Sequence, residues 1–210
     1  MRRLAGQAKP QLACTPRPSW QKGHVKSLFA DSSYLKYWNN AIQLGKDSAM
    51  LANAPVVYIS WYAAKTYCEC QGKRLPTVAE WEFAAMASEK KTNATLDSGF
   101  NQRIIDWYAK PSPKRAIKQI GSTFQNIYGV WDMHGLIWEW TQDFNSALTS
   151  GESRSDASLD KDLFCGAGAV NAKNLKNYAA FMRNAMRASL KARYTVSNLG
   201  FRCAKTIIKH

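Results

Sequence analysis

The sequence predicts an α+β domain that is rich in loops, with two helices beside a small, mostly antiparallel sheet. The first helix follows Ser60, which is a suitable N-cap for "WYAAKTYCECQ", and Gly72 ends it. The second helix follows Thr77, because Thr77 and Glu80 have the spacing of a capping box. From Gly129 onward the chain consists of short segments punctuated by glycine, as is typical of short strands and turns.

Three other segments complete the predicted order of elements. "DSSYLKYW" from residue 31 predicts a short helix with Asp31 or Ser32 as its N-cap. "APVVYIS" at 54–60 is a β-branched apolar run and predicts a strand, whereas the polar residues 88–127 predict a loop with at most one helical turn. The predicted buried helical faces are Trp61, Ala64, Tyr67 and Cys68 in the first helix, and Trp81, Ala84 and Ala85 in the second.

Composition indicates one globular domain. The chain has 210 residues, of which 46% are hydrophobic and 21% charged. We leave residues 1–20 unassigned and place a single domain at 21–210. No apolar run is long enough for a membrane span, and Lys9, Pro10 and Gln11 interrupt any signal-peptide core. We expect a cytoplasmic protein, or a periplasmic or secreted one if the start is truncated.

The net charge of +14 favours an acidic partner. Lysine and arginine are scattered and no nucleic-acid-binding motif is present, so nucleic acid is not expected as a partner. The segment from Asn174 to Arg193 is basic without an acid and is the candidate site for a protein, peptide or small anionic ligand, although a solvated basic face is the alternative. Its cationic residues are Lys176, Arg183, Arg187, Lys191 and Arg193.

The stretch "WEW" raises the question of a catalytic carboxylate. Alternation in a strand places Trp138 and Trp140 on one face and Glu139 on the other. A structural ion pair of Glu139 with Arg74 or Arg202 is the favoured interpretation. The alternative is a general base, but no nucleophile or metal cluster accompanies Glu139 in the sequence.

Three blocks in the sequence resemble the formylglycine-generating enzyme family, also called sulfatase-modifying factors. They are "APVVYISWYAAKTYCECQGKRLPTVAEWEFAA", "YGVWDMHGLIWEW" and "RASLKARYTVSNLGFRCAK", in the family's order and at about its spacing. The resemblance implies a C-type-lectin-like fold with "WEW" in its core. The core residues it implies are Arg74, Trp81, Glu82, Trp138, Glu139, Trp140, Asn198, Gly200, Phe201 and Arg202.

The resemblance also implies an activity and its metal. The family oxidises a cysteine within a Cys-x-Pro-x-Arg motif of a sulfatase to Cα-formylglycine, using molecular oxygen and Cu(I) held by two cysteine thiolates. Counting back from "NLGFRC", the two copper positions are Asn174 and Ala179, and neither is a cysteine. Cys165 is a weak catalytic candidate, with Met182 or Met186 as a further soft ligand.

Other departures concern calcium and the cysteines. Leu136 stands where the family's calcium loop has asparagine, and the family's "PWG" stretch is absent from 88–127, so calcium binding is doubtful. By the resemblance, Cys68 and Cys203 match a disulfide of secreted members, which would require an oxidising compartment. Cys14, Cys70 and Cys165 are then expected to be reduced.

Three functional hypotheses follow from the resemblance. The first is a divergent member without the copper cysteines that acts as a binding or accessory and maturation module. The second is the formylglycine-generating oxidase itself, with copper held otherwise. The third is another metal-dependent oxygenase on the same fold, although His24, His134 and His210 form no cluster with ligand spacing. The spacing of the residues does not predict a metal site. The sequence does not indicate the oligomeric state.

Overall fold

The α+β class is confirmed. The structure, a computed structural model, describes residues 20–39, 44, 48–109, 118–145 and 175–207. Within these ranges the chain forms five helices and two short strands. In chain order they are α1 (Ser48–Leu51), α2 (Trp61–Cys70), α3 (Val78–Ala85), α4 (Ser98–Ala109), β1 (Trp138–Trp140), α5 (Leu175–Ser189) and β2 (Leu199–Phe201).

Helices α2 and α3 begin as the sequence predicts. The Ser60 hydroxyl accepts a hydrogen bond from the Ala63 amide and caps α2. Thr77 and Glu80 form both halves of the capping box of α3. Gly72, with φ of 63°, follows the end of α2, where a residue with a Cβ would be strained.

The prediction of only two helices is wrong, because α4 and α5 lie in segments that the sequence predicted as loop and as short strands. Helix α4 begins beside Asp97, whose carboxylate accepts from the Phe100 amide at 3.1 Å. It buries Phe100 and Ile104, one helical turn apart. The polar residues Gln102, Arg103 and Asp106 interrupt its apolar residues and concealed this face in the sequence.

Two predicted elements near the start of the domain are also wrong. Residues 31–37 form turns and no helix. The Asp31 carboxylate accepts from the Ser33 amide, as in an Asx turn, and from the amide and hydroxyl of Thr195. Residues 54–60 contain no strand, because Tyr58 has φ of 55° and its backbone bonds to Leu35 and Val196 instead of to a sheet ladder.

The two strands pair in parallel, with Trp138 opposite Leu199 and Trp140 opposite Phe201. The prediction of mostly antiparallel strands is therefore wrong for β1 and β2. Three isolated bridges in the described residues are antiparallel. Parallel pairing is possible here because a long stretch of chain separates β1 from β2.

The main core surrounds Trp140, which is fully buried and donates its indole N–H to the Ile59 carbonyl at 2.9 Å. Phe201 belongs to this cluster and Trp138 packs against it. The prediction that Trp81 is buried with them is wrong in detail, since Trp81 lies in a second cluster with Ala85 and Met133. The predicted inner face of α2 is confirmed, with Ala64 and Cys68 buried and Trp61 and Tyr67 packed on the core.

The expected bridge between Cys68 and Cys203 is present and joins α2 to the end of β2. Cys70 is disulfide-bonded as well, so the prediction that it is reduced is wrong. Cys14 and Cys165 lie outside the described residues. Two disulfides fit an oxidising compartment better than a reducing one.

Gly200 in β2 allows the closest approach between segments of the core. An added Cβ would lie 2.3 Å from the Val56 carbonyl oxygen and 2.6 Å from Cδ1 of Ile137. The first of these atoms belongs to the backbone, so the clash cannot be relieved by a side-chain rotation.

We expect Gly200→Ala to lower the free energy of unfolding by about 3 kcal/mol, because the methyl group overpacks the contact with residue 56. Chemical denaturation measures the change. Gly99→Ala is the matched control, since its Cβ meets only the Asp97 carboxylate at 3.5 Å, and there the change should be neutral or stabilising. Equal losses in the two variants would contradict the packing argument.

Candidate functional site

Glu139 lies at the centre of a buried polar cluster. Its carboxylate accepts from Nε and Nη2 of Arg202 at 2.6 Å each and from the Trp81 indole at 2.8 Å. The side chains of Arg202 and Glu139 are only 8% and 4% exposed. The predicted ion pair is therefore confirmed with Arg202, whereas Arg74 pairs with Glu80 on the surface. This arrangement favours a structural role for "WEW" over a general base.

Asp132 holds the hairpin at 125–131, which precedes β1 and is closed by an antiparallel bridge between Gln125 and Trp131. It is buried, with φ of 59°, and its carboxylate accepts from the Gly121 amide, the Thr123 amide and the Thr123 hydroxyl. The backbone carbonyl of Asp132 also accepts from Arg202 at 3.4 Å. Three donors from the chain therefore surround this carboxylate, so it acts as an internal anchor of the loop.

A second ionic cluster attaches α5 to α3. Glu82 accepts from Arg183 at 2.7 Å and from Arg187 at 2.7 Å. Arg183 also contacts the Tyr108 hydroxyl at 3.4 Å, and Arg187 lies over the ring of Trp81. The two arginine side chains are 12% and 9% exposed, whereas that of Glu82 is 31% exposed. The cluster thus positions α5 with Arg183 and Arg187 directed towards α3.

The predicted basic face is consequently divided. Arg183 and Arg187 are committed to Glu82, while Lys191 and Arg193 are exposed. The Lys176 side chain lies outside the described residues. A ligand-binding role therefore remains a prediction, and the exposed cations Lys191 and Arg193 are its candidates.

Opposing effects set the charge states in this cluster. Burial would raise the pKa of the Glu82 carboxyl, but the positive charges and hydrogen bonds of Arg183 and Arg187 lower it below the ordinary value. Burial would lower the pKa of Arg183, and Glu82 raises it instead. Burial is also the main cause of the raised pKa of Tyr108. All three groups thus keep their usual ionisation at neutral pH.

Ala179, which the sequence resemblance predicts at the family's second copper position, is buried in an apolar cluster with residues of α4. Ala179 is 2% exposed and packs with Phe100, Ile104 and Ala94. Asn174, the predicted first copper position, and Cys165 lie outside the described residues. Within the described ranges, no group of three His, Cys, Asp or Glu side chains could hold a metal ion.

His134 is buried beside the apolar cluster that contains Ala179 and Phe100. Its Nε2 is 2.8 Å from the Ala85 carbonyl, so Nε2 carries the proton, and Nδ1 has no hydrogen-bond partner in the described part of the chain. The rings of Trp81, Phe100 and Phe124 surround it. Burial, with a smaller effect of Arg183, lowers the pKa of His134 to about 3.

Aromatic stacking extends from α4 to the "WEW" strand. The Tyr108 ring stacks on Trp138 with centroids 5.0 Å apart and planes 10° apart. Trp107 contacts the same indole at 5.2 Å. Sequence reasoning missed Tyr108 because it treated the surrounding segment as loop. The signal was the helical spacing of Phe100, Ile104 and the pair Trp107 and Tyr108.

Comparison with known proteins shows the class of protein that this fold and these clusters define. The family model described as "Sulfatase-modifying factor enzyme 1-like domain" matches residues 23–207. The chain therefore belongs to the sulfatase-modifying factor family, which confirms the resemblance of the three sequence blocks. No helix in the described ranges is long and apolar enough to cross a membrane.

The relatives that this chain resembles include proteins named as formylglycine-generating enzymes and proteins named as inactive counterparts. The formylglycine-generating enzyme of Mus musculus is 29% identical over 187 residues, covering 76% of this chain and 47% of that protein. The Streptomyces coelicolor enzyme of the same name is 31% identical, covering 80% and 58%. The inactive Cα-formylglycine-generating enzyme 2 of Bos taurus is also 31% identical, covering 80% and 56%. This chain thus spans about half the length of these relatives.

We expect Glu139→Gln to lower the free energy of unfolding by about 3–5 kcal/mol, because it leaves Arg202 buried beside an uncharged partner. Denaturant titration measures the loss. Glu89→Gln, which breaks the exposed pair with Arg103, is the control and should cost less than about 1 kcal/mol. A small effect at Glu139 would argue against the buried ion pair as a main support of the fold.

His134 should make stability depend on pH below the ordinary histidine pKa of 6.5. Its pKa is lowered in the native state, so the unfolded chain binds a proton that the native chain does not. Stability should therefore fall by about 1.4 kcal/mol per pH unit as the pH drops below about 6. Unfolding measured from pH 6.5 to 5 should lose most of this slope in His134→Gln, and equal slopes would refute it.

Proposed function

We propose that this protein is a divergent sulfatase-modifying factor without formylglycine-generating activity, which serves as a binding or accessory module in the maturation of another protein. The observation that carries this proposal is the apolar burial of Ala179 where the family places a copper thiolate. We also propose that the fold is C-type-lectin-like and that residues 21–210 form its single domain.

The cysteines support the absence of a two-thiolate site. Cys68, Cys70 and Cys203 are disulfide-bonded. Because the chain has five cysteines, two disulfides within it would leave a single thiol. Cu(I) in this family is expected to require two soft ligands, and one thiolate does not meet that requirement. The oxidation chemistry therefore lacks its metal site on this chain.

The contacts of α5 point in the same direction. Arg183 and Arg187 fix the helix to Glu82, and Ala179 fills the space beside Phe100 and Ile104. A helix held at both its charged and its apolar side is a rigid scaffold element. This segment therefore supports a fixed surface instead of a metal centre that must admit oxygen and a peptide cysteine.

The relatives are compatible with this assignment. Some bear the name formylglycine-generating enzyme and others the name of an inactive counterpart, so the sequence similarity by itself does not separate the two. The partner that we propose is a protein, a peptide or a small anionic ligand, with Lys191 and Arg193 as the exposed cations available to it. We place the protein in an oxidising compartment because of its disulfides.

We expect the purified protein to leave a Cys-x-Pro-x-Arg peptide unchanged in the presence of Cu(I) and oxygen, because Asn174 and Ala179 cannot replace thiolates. Mass spectrometry of the peptide detects the loss of sulfur that accompanies the change from thiol to aldehyde. The Streptomyces coelicolor formylglycine-generating enzyme provides the positive control. Copper-dependent turnover that is abolished in Cys165→Ser would replace the accessory role with a catalytic one.

A further inference from the structure

One hairpin and the helix beside it carry a concentration of exposed large hydrophobic side chains. Phe83 is 56% exposed, Ile127 48%, Trp131 41% and Tyr128 39%. These four are half of the large hydrophobic residues that are exposed in the described ranges. Phe83 of α3 and Tyr128 stack with centroids 5.5 Å apart. We call these four residues the hairpin patch.

The backbone under the hairpin patch is rigid. The Asn126 side chain accepts from the amides of Tyr128 and Val130 and donates to the Ala84 carbonyl at 2.8 Å. The Ile127 amide donates to the Ser88 carbonyl at 2.8 Å. Asn126 is itself buried. The fold therefore fixes the tip of the hairpin through polar groups and does not require the apolar side chains of Ile127 and Tyr128 for this purpose.

Exposed aromatic residues on a rigid backbone are typical of protein interfaces. Tyrosine, tryptophan and phenylalanine are enriched there because they bury a large area with little loss of conformational entropy. A contiguous exposed apolar patch on a soluble protein commonly marks a contact site. Three residues of the hairpin patch meet both conditions, since Phe83 and Tyr128 are stacked, Ile127 precedes Tyr128 in the chain, and Asn126 holds the loop.

The charges beside the hairpin patch indicate the partner. The Ser88 carbonyl that bonds to Ile127 begins a turn with Lys90 and Lys91, and Arg103 lies near it. Lys91 pairs with Asp97, and Arg103 pairs with Glu89. This local set thus has three cations and two carboxylates, with Lys90 in excess. The whole chain carries +14, so a second copy would be repelled and an acidic protein attracted.

We propose that the hairpin patch is the docking surface for an acidic segment of a partner protein, which places apolar side chains against Phe83, Ile127 and Tyr128 and a carboxylate near Lys90. This inference rests on the proposed accessory function and names the surface and the chemistry of its partner. Binding here is by apolar burial at the centre and by charge at the edge.

The test uses a displayed library of random peptides of about 12 residues, long enough to fill one extended or helical recognition site. Selection on the intact protein should enrich acidic peptides that contain aromatic or aliphatic residues. An enriched peptide should bind Ile127→Ser/Tyr128→Ser at least about tenfold more weakly, as is typical when interface anchors are removed. Lys90→Glu, which leaves the apolar residues in place, should also weaken binding and reduce its salt dependence.

Leu96→Ser is the matched control, because Leu96 is 90% exposed and outside the hairpin patch. It should bind the selected peptides like the unaltered protein, and circular dichroism with thermal unfolding confirms that every variant is folded. Failure to enrich peptides, enrichment of basic peptides, or equal binding by the double variant would overturn the proposal. A dimer in sedimentation that dissociates in the double variant would assign the surface to a second copy instead. The formylglycine assay decides the proposed function separately.

Discussion

The buried ion pair between Glu139 and Arg202 connects the parts of this protein that the chain order keeps apart. It joins β1 to the residue after β2, and the Trp81 indole adds α3 to the same carboxylate. Because both side chains are almost fully buried, removal of either would leave an uncompensated charge in the interior. The two clusters around Trp140 and Trp81 thus meet at one carboxylate, and the position of α3 depends on it.

The position of α3 in turn determines where α5 is held. Trp81 directs its indole towards Glu139, and the next residue, Glu82, extends towards Arg183 and Arg187. Adjacent residues on one helix therefore serve two ionic clusters, one within the core and one at the contact with α5. Ala179 completes this contact against the apolar face of α4. The segment around Ala179 is thus part of the packing between helices.

The sequence predicted the local features well because their causes are local. The caps of α2 and α3 depend on residues three positions apart, and both were read from Ser60, Thr77 and Glu80. Two pairings between distant residues were also predicted. The family resemblance predicted the disulfide between Cys68 and Cys203, and strand alternation predicted an ion pair of Glu139 with either Arg74 or Arg202. Helix α4 was missed because its apolar residues are interrupted by polar ones and the segments on both sides of it are polar. The two ionic partners of Glu82 were missed because they arise from tertiary contacts more than 100 residues apart in sequence.

The parallel pairing of β1 with β2 makes completion of the fold depend on residues that lie about 60 positions further along the sequence. Leu199, Gly200 and Phe201 supply the neighbouring strand, and Arg202 and Cys203 supply the countercharge and the second sulfur immediately afterwards. During synthesis, "WEW" therefore emerges long before the residues that cover and neutralise it. Contacts of such large sequence separation form slowly, and the unpaired strand exposes two indoles in the meantime. Folding of this domain therefore cannot be completed before residues 199–203 have emerged, and loss of these residues would remove the strand, the charge and the crosslink together.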